Sequence, residues 1–360
     1  YLKGVQRFDA AEIPQPENLS QTLLDLMGSP NLGSRDWITS QYDQTVRTNT
    51  LVGPGSDAAV VRVKGTRRAL AMTSDCNHRW CYLDPRAGAA HAVAEAARNL
   101  SCSGARPLGV TDCLNFGNPE NPEIMWQFRE AIRGMGDACR ALGVPVVSGN
   151  VSFYNETRGQ AIHPAPVVAM VGLLEDASTR LESGFPSAGL TLLLLGDAGE
   201  PSIAASEYLA QIHGREAGAP PPLDLEMEKR LGELLRGLAG RRLLASAHDC
   251  SDGGLAVTLA ECCLVGPVAV GAHIRLPEYE RADAALFGEA SGRVLVAVVP
   301  AQEADVAETA RQAGVPCTRL GTTNESGRVR IEGPGDHGLV DLALDDLQRA
   351  WSAALPEMLE

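Results

Sequence analysis

The nine cysteines of this chain never stand as a C-x-x-C pair, the spacing structural zinc sites favour, so a structural zinc site is not expected. Several lie in apolar segments and read as small buried hydrophobes. An odd number, with no signal peptide ahead of them, points to a reducing, cytoplasmic setting. No block of Lys and Arg occurs either. The chain has 31 basic against 45 acidic residues, a net charge of −14, which argues against nucleic acid as a partner. No apolar run is long enough to span a bilayer, so no membrane partner is expected. The first residue is Tyr1 rather than Met, and we expect a fragment of a longer protein.

The 360 residues are 44% hydrophobic and rich in Gly and Ala, enough to bury two or three cores at roughly 150 residues per domain. Residues 1–40, broken by Pro14, Pro16 and a Gly/Ser/Asn cluster at 28–34, read as a preamble or linker with one short helix. A first domain is expected over 41–180 and a second over 188–355, with the boundary in the polar stretch 176–189.

The most informative stretch runs from Pro107 to Thr157. An apolar run from Pro107 to Thr111 stops at Asp112, and a polar turn follows through Asn115 to Pro122. Met125, Phe128, Ile132, Met135, Cys139 and Leu142 then recur at three- and four-residue steps, which predicts a helix ended by Gly143. A second apolar run, Val144–Val147, stops at Ser148-Gly149-Asn150-Val151-Ser152. Strand, helix, strand with polar groups past both strand ends is where open α/β sheets bind ligands. Asp112 is a hard oxygen donor suited to Mg²⁺ and Asn150 a neutral one. Gly149 leaves its backbone open to a phosphate or sugar, and Ser152 has a hydroxyl to donate. Asp and Asn after strands are also common turn residues.

Elsewhere, Ala59–Val63 and Ala69–Thr73 read as two strands joined at Lys64-Gly65-Thr66, with Asp57 and Asp75 as further candidate metal or phosphate-site carboxylates. Residues 77–85 read as irregular, and an Ala-rich helix is predicted from about Ala87 to Ser101. In the second half, Leu190–Leu195 is a buried strand, and Leu225–Leu238 an amphipathic helix. Leu243–Ala247 is a strand running into His248-Asp249-Cys250-Ser251-Asp252-Gly253-Gly254, whose glycine pair suits an anion. His248 and Asp249 read as a packed polar turn. A C-terminal helix is expected from about Leu339, and antiparallel strands with helices on one face suit this half.

Taken together, Gly53–Val60, Asp84-Pro85, Ala92–Asn99, Ser103–Pro107, Thr111–Pro119, Val147–Ser152, Tyr154–Thr157 and His248–Gly254 resemble the phosphoribosylformylglycinamidine synthases, in order and over most of the chain. The resemblance is to the second half of that internally duplicated family. It implies a mixed α/β (α+β) fold of the aminoimidazole ribonucleotide synthetase type, a barrel-forming domain followed by an α/β domain. It further implies that Asp112 and Gly149 contact ATP, Asn150 holds Mg²⁺ and Ser152 touches substrate. The implied reaction turns the amide of formylglycinamide ribonucleotide into an amidine, with ammonia from a glutaminase subunit or fused domain and, in the multi-subunit form, a small bridging subunit.

The family's His-Asn-His-Pro motif, which supplies the catalytic histidine in the first half, is absent; Asn77-His78-Arg79 is the nearest feature. Arg98-Asn99 stands where the first half has an Arg-Asp pair. No catalytic residue is therefore assigned in this half, which is expected to need the missing first half and to be inactive alone. A second reading keeps the fold and makes the chain a silent nucleotide-binding scaffold that dimerises through exposed strands. Cousins of the same fold, such as selenophosphate synthetase, fit the Thr111–Pro119 and Ser148–Thr157 segments less well.

Overall fold

A computed structural model describes residues 1–196 and 201–359. Two sheets organise it. The first comprises Thr50–Val52 (β1), Ala59–Arg62 (β2), Ala69–Asp75 (β3), Arg106–Asn115 (β4), Val146–Ser152 (β5) and Ala165–Leu174 (β8), in the order β1-β2-β3-β8-β4-β5. A two-residue hairpin, Glu156–Thr157 (β6) with Gln160–Ala161 (β7), stands between β5 and β8. All neighbours in the six-stranded sheet are antiparallel except β4 and β5, which run parallel because the helix Pro122–Leu142 crosses between them.

Four short or medium helices precede that crossover: Leu2–Val5 (α1), Leu19–Met27 (α2), Asp36–Thr39 (α3) and His78–Leu83 (α4). The long helices Pro85–Cys102 (α5) and Pro122–Leu142 (α6) follow. Local chemistry sets the ends of the long pair. The Asp84 carboxylate accepts from the Arg86 and Ala87 N–H groups, Asn121 accepts from Glu123, and each helix opens on a proline whose missing N–H costs nothing there. Gly143 closes α6 at φ 68. The two helices pack closely through small residues: a Cβ on Gly134 would lie 1.9 Å from the Arg86 carbonyl oxygen.

They cover one face of the sheet. Along β8, Pro166, Val168, Met170, Gly172 and Leu174 are buried against them, as the two-residue period of a strand requires. The opposite face stays partly open, with Met72, Leu108 and Val171 each more than a third exposed.

The second sheet has the order β10-β12-β9-β13-β11-β14-β15. Its strands are Thr191–Gly196 (β9), Ser246–Asp249 (β10), Gly271–Arg275 (β11), Arg293–Val298 (β12), Cys317–Asn324 (β13), Arg328–Glu332 (β14) and Gly338–Ala343 (β15). Only β11 and β14 pair in parallel. Its helices are Glu207–His213 (α7), Leu225–Gly240 (α8), Gly254–Leu264 (α9), Ala282–Phe287 (α10), Glu303–Gln312 (α11) and Leu344–Leu359 (α12).

Central strand β9 is leucine-rich because both its faces are covered. Leu192 joins a core with α2, α7, α9, α10 and α12, while Leu193 and Leu195 join one with α8 and α11. Helices therefore flank both faces of this sheet, where the sequence suggested one. Residues 1–40 contribute Ile13, Leu23, Leu26, Met27 and Leu32 to the first of these two cores.

Three local expectations are corrected. Residues 77–85, read as irregular, contain α4, started by the Asn77 side chain accepting from the Trp80 N–H. The helix expected from Leu339 begins at Leu344, because residues 338–343 pair with β14 instead. Finally, β4 runs through Asn115 and β5 through Ser152, so Asp112, Gly149 and Asn150 lie inside strands rather than past their ends. Among the described residues no helix is long and apolar enough to cross a membrane.

Candidate functional site

The parallel ladder brings the four residues singled out from sequence into register: Asp112 opposite Gly149, Cys113 opposite Asn150, and Asn115 opposite Ser152. Alternation along the strands then sorts them onto two faces. Asp112 pairs on its other side with core residue Val168, so it points toward the helices. Its carboxylate lies directly over Gly149, where an added Cβ would sit 2.2 Å from Oδ1. Only glycine leaves this approach open. Burial raises the Asp112 carboxyl above its ordinary range.

On the opposite face, Thr111 Oγ1 meets Ser148 Oγ at 2.7 Å, and the Cys113 thiol donates to Asn150 Oδ1 at 3.5 Å. Ser152 is held from the following loop, where Asn155 Nδ2 donates to its carbonyl at 2.9 Å and to the Phe116 carbonyl at 3.0 Å. Tyr154 in that loop is exposed and sits at φ 60, a conformation rare for non-glycine residues and enriched near functional sites. Among the described residues β5 pairs with β4 alone, so this patch forms an open sheet edge.

Asn150 offers a single neutral oxygen, and no carboxylate shares its face of the β4–β5 ladder. Among the described residues no group of three or more His, Cys, Asp or Glu side chains could hold a metal ion. Mg²⁺ prefers one or two carboxylates plus phosphate oxygens and water. This chain alone therefore does not fit a complete Mg²⁺ site at Asn150.

A second polar assembly lies where the two sheets meet, and most of it escaped the sequence reading. Arg98 of α5 is 4% exposed and donates to Asp249 Oδ1 and to Glu228 Oε1, each at 2.5 Å. Glu95, one turn earlier, stands 3.7 Å from the same guanidinium. Burial and then Asp252 and Asp249 push the Asp75 carboxyl well above its usual range; burial and then Asp75 do the same to Glu95. Burial, reinforced by Glu207, lifts Asp252 to about 6. Arg79 donates to Glu207 at 2.8 Å, and Asn77 to Asp252 at 3.0 Å. Three acidic oxygens, Oε2 of Glu228, Oδ2 of Asp249 and Oε2 of Glu289, lack a partner among the described residues. A pair of charges three residues apart inside an Ala-rich helix was the available signal for this network.

Asp57 and His248, both noted from sequence, meet across the same junction. The His248 Nδ1 lies 3.0 Å from Asp57 Oδ1, and its Nε2 lies 3.2 Å from Glu261 Oε2. Burial alone would lower the imidazole's pKa, but Asp57 and Glu261 hold it well above the ordinary histidine value. Burial alone would raise Asp57; His248 and the Ser183 hydroxyl (2.7 Å) keep it below the usual range. Asp57, Asp75 and Asp249 thus belong to the domain junction and not to the β4–β5 edge.

Comparison with known proteins matches the AIR synthase related protein N-terminal domain over residues 55–174 and the corresponding C-terminal domain over 187–333. The chain is 49% identical over all 360 residues to phosphoribosylformylglycinamidine synthase subunit PurL of Moorella thermoacetica, of which it covers 48%. It spans about half the length of the curated relatives it matches. Among solved structures, Thermotoga maritima PurL complexed with FGAR superposes with a TM-score of 0.74 at 20% identity, over 92% of this chain and 54% of that one. The same protein complexed with ATP gives 0.72, also at 20% identity, over 94% and 53%. At that identity these two likenesses bear on the fold.

Proposed function

The chain belongs to the AIR synthase related proteins, carrying both of their domains, and from that premise we propose that it is the second half of a PurL-type formylglycinamidine ribonucleotide synthetase. It would act in an ATP-dependent ligase of purine biosynthesis that converts formylglycinamide ribonucleotide and ammonia to the amidine. The observation that carries this reading is the register of Asp112 with Gly149 on one face of an unpaired sheet edge, with Asn150 and Ser152 on the other. The T. maritima complexes named above, with FGAR and with ATP, support the choice of ligands.

In this reading Asp112 and Gly149 contact ATP. The glycine leaves room for the Asp112 carboxylate to lie over the strand, and that carboxylate orients the ligand by accepting hydrogen bonds. Ser152, fixed by Asn155, donates its hydroxyl to an oxygen of formylglycinamide ribonucleotide. Asn150 supplies one neutral oxygen toward Mg²⁺, whose remaining ligands must come from phosphate and from outside this chain. ATP phosphorylates the amide oxygen, and ammonia displaces the phosphate. A glutaminase partner supplies the ammonia, with a small bridging subunit in the multi-subunit form.

The half-open face of the first sheet, with Met72, Leu108 and Val171, is where the family's shared barrel would be completed by the other half. The catalytic histidine would lie there too, which leaves this half inactive alone. The exposed edge of β5 favours a second reading, a silent nucleotide-binding half that pairs with itself.

Phosphate release is measured with Mg-ATP, ammonia and formylglycinamide ribonucleotide, for the chain alone and with a matching first half. Turnover is expected only in the mixture, falling at least about tenfold in Asp112→Ala. Turnover by the chain alone would remove the dependence on the other half. No turnover from halves shown to associate would favour the silent reading.

A further inference from the structure

Away from the β4–β5 edge, α8 of the second sheet crosses α5 and the end of α6, leaving a cleft of about 230 Å³. Its walls come from Ala94, Ala97 and Ser101 of α5, from Arg106 and Pro107 at the start of β4, and from Lys229, Gly232 and Arg236 of α8. Small residues at the crossing keep it open. A Cβ on Gly232 would meet both Ser101 Oγ and Arg236 Nη1 at 3.0 Å.

The charges in this cleft are unbalanced. Arg236 donates to Ser101 Oγ at 2.8 Å, a neutral partner. Among the described residues, no carboxylate lies within ion-pair distance of Arg106, Lys229 or Arg236, although the chain as a whole is acidic. Burial of the Arg236 guanidinium disfavours its charge most; Glu233, which also lines the cleft, offsets part of that cost, and Arg106 adds to it. At the floor Glu228 gives Oε1 to Arg98, while its Oε2 has no partner among the described residues. Like charges held together in a partly dry cleft are relieved by a bound anion. Guanidinium groups match the tetrahedral oxygens of phosphate in bidentate fashion. The volume sets the size: several times the ~30 Å³ of a water, yet below the roughly 300–1,000 Å³ of sites for drug-sized ligands.

We propose that the cleft between α5, α6 and α8 binds a small phosphate-bearing anion, gripped by Arg106 and Arg236 with Lys229 at the rim. This site is separate from Asp112 and Gly149 and does not rest on the ligase reading. A ligand there would touch both sheets' helices at once, and so would tie the second domain to the first.

The test uses the 360-residue chain at pH 7 and follows the arginine side-chain N–H resonances by ¹⁵N-edited NMR. Sodium phosphate and ribose 5-phosphate are titrated in separate arms against sodium chloride at matched ionic strength, which removes general screening. Saturable shifts are expected at Arg106 and Arg236 in at least one phosphate arm and not with chloride. Binding should weaken by about tenfold or more in Arg236→Gln, severalfold in Arg106→Gln, whose exposed position spares the fold, and not at all in Asp112→Ala. Tighter binding of the ribose ester would identify an organic phosphate as the occupant; equal binding would identify the free ion. Shifts matched by chloride, or unchanged affinity in both arginine variants, would overturn the site.

Discussion

The β4–β5 edge and the domain junction each gather acidic and amide side chains, but they treat them in opposite ways. At the edge, Gly149 and Asn150 are exposed and Asp112 is only partly covered, so a ligand could replace the water now around them. At the junction, Arg98, Glu228 and Asp249 are all less than a tenth exposed, and the guanidinium is the partner of both acids. Water-filled polar groups are cheap to keep and ready to bind. Dry ones must be paired, and they hold the two domains in one relative position at considerable electrostatic cost.

Removing Arg98 should sharpen that contrast most. Arg98→Met leaves Asp249 and Glu228 without their cation, and we expect a loss of about 3–5 kcal/mol in urea unfolding. Asp112→Ala at the edge should stay within about 1 kcal/mol of the parent. Equal losses would erase the distinction between the two regions.

The sign reverses at Asp252. Its folded pKa of about 6 lies above the ordinary 3.8, so the folded state holds a proton that the unfolded state releases. Stability is thereby lost as pH rises from about 4 through 6. Asp252→Asn keeps an acceptor for Asn77 and should stabilise the chain by about 1–3 kcal/mol at pH 7, flattening that decline. A variant that is less stable at pH 7 would mean the carboxylate is satisfied there.

His248 contributes a slope of the same sign, displaced to higher pH. Its folded pKa is raised, so its stabilisation is complete below about 6.5 and fades as pH climbs through the folded value. Asp57, depressed by the same partner, gives a contribution present above its ordinary 3.8 and lost on acidification. The pair should therefore hold best between those limits. His248→Gln should cost about 1–3 kcal/mol at pH 6 and progressively less in alkaline buffer, read from unfolding midpoints across pH.

The smallest effect on stability is expected at the edge itself. Val147 is 72% exposed on β5, and Val147→Lys should change stability by less than about 0.5 kcal/mol while lowering self-association in sedimentation, since an edge lysine discourages strand pairing. Unchanged association would place any self-contact elsewhere.

Helix α6 was legible in the sequence because six apolar residues keep its period and Gly143 marks its end. The extent of β5 was not: its residues up to Val151 are exposed, so it lacks the alternation that marks a half-buried strand. Leu339, Val340 and Leu342 fit a helix or a strand locally, and only pairing with β14 decides between them. Asp112, Gly149, Asn150 and Ser152 were picked out by type and spacing, but which face each takes depends on the register of β4 with β5 and β8. The Arg98 network was hidden for a different reason. Its partners Glu228 and Asp249 lie 130 and 151 residues away, a separation no local pattern reports.

Among the described residues strand β5 has one neighbour, β4, to which the chain connects it through α6. Its outward backbone amides have no partner strand, and its inner ones rest on a single ladder. Segments of this kind open with little of the molecule disturbed, so β5 amides should exchange with deuterated solvent well before those of β9, which is flanked on both sides. The same loosely held strand carries Gly149, Asn150 and Ser152, so anything that docks along it would slow that exchange first.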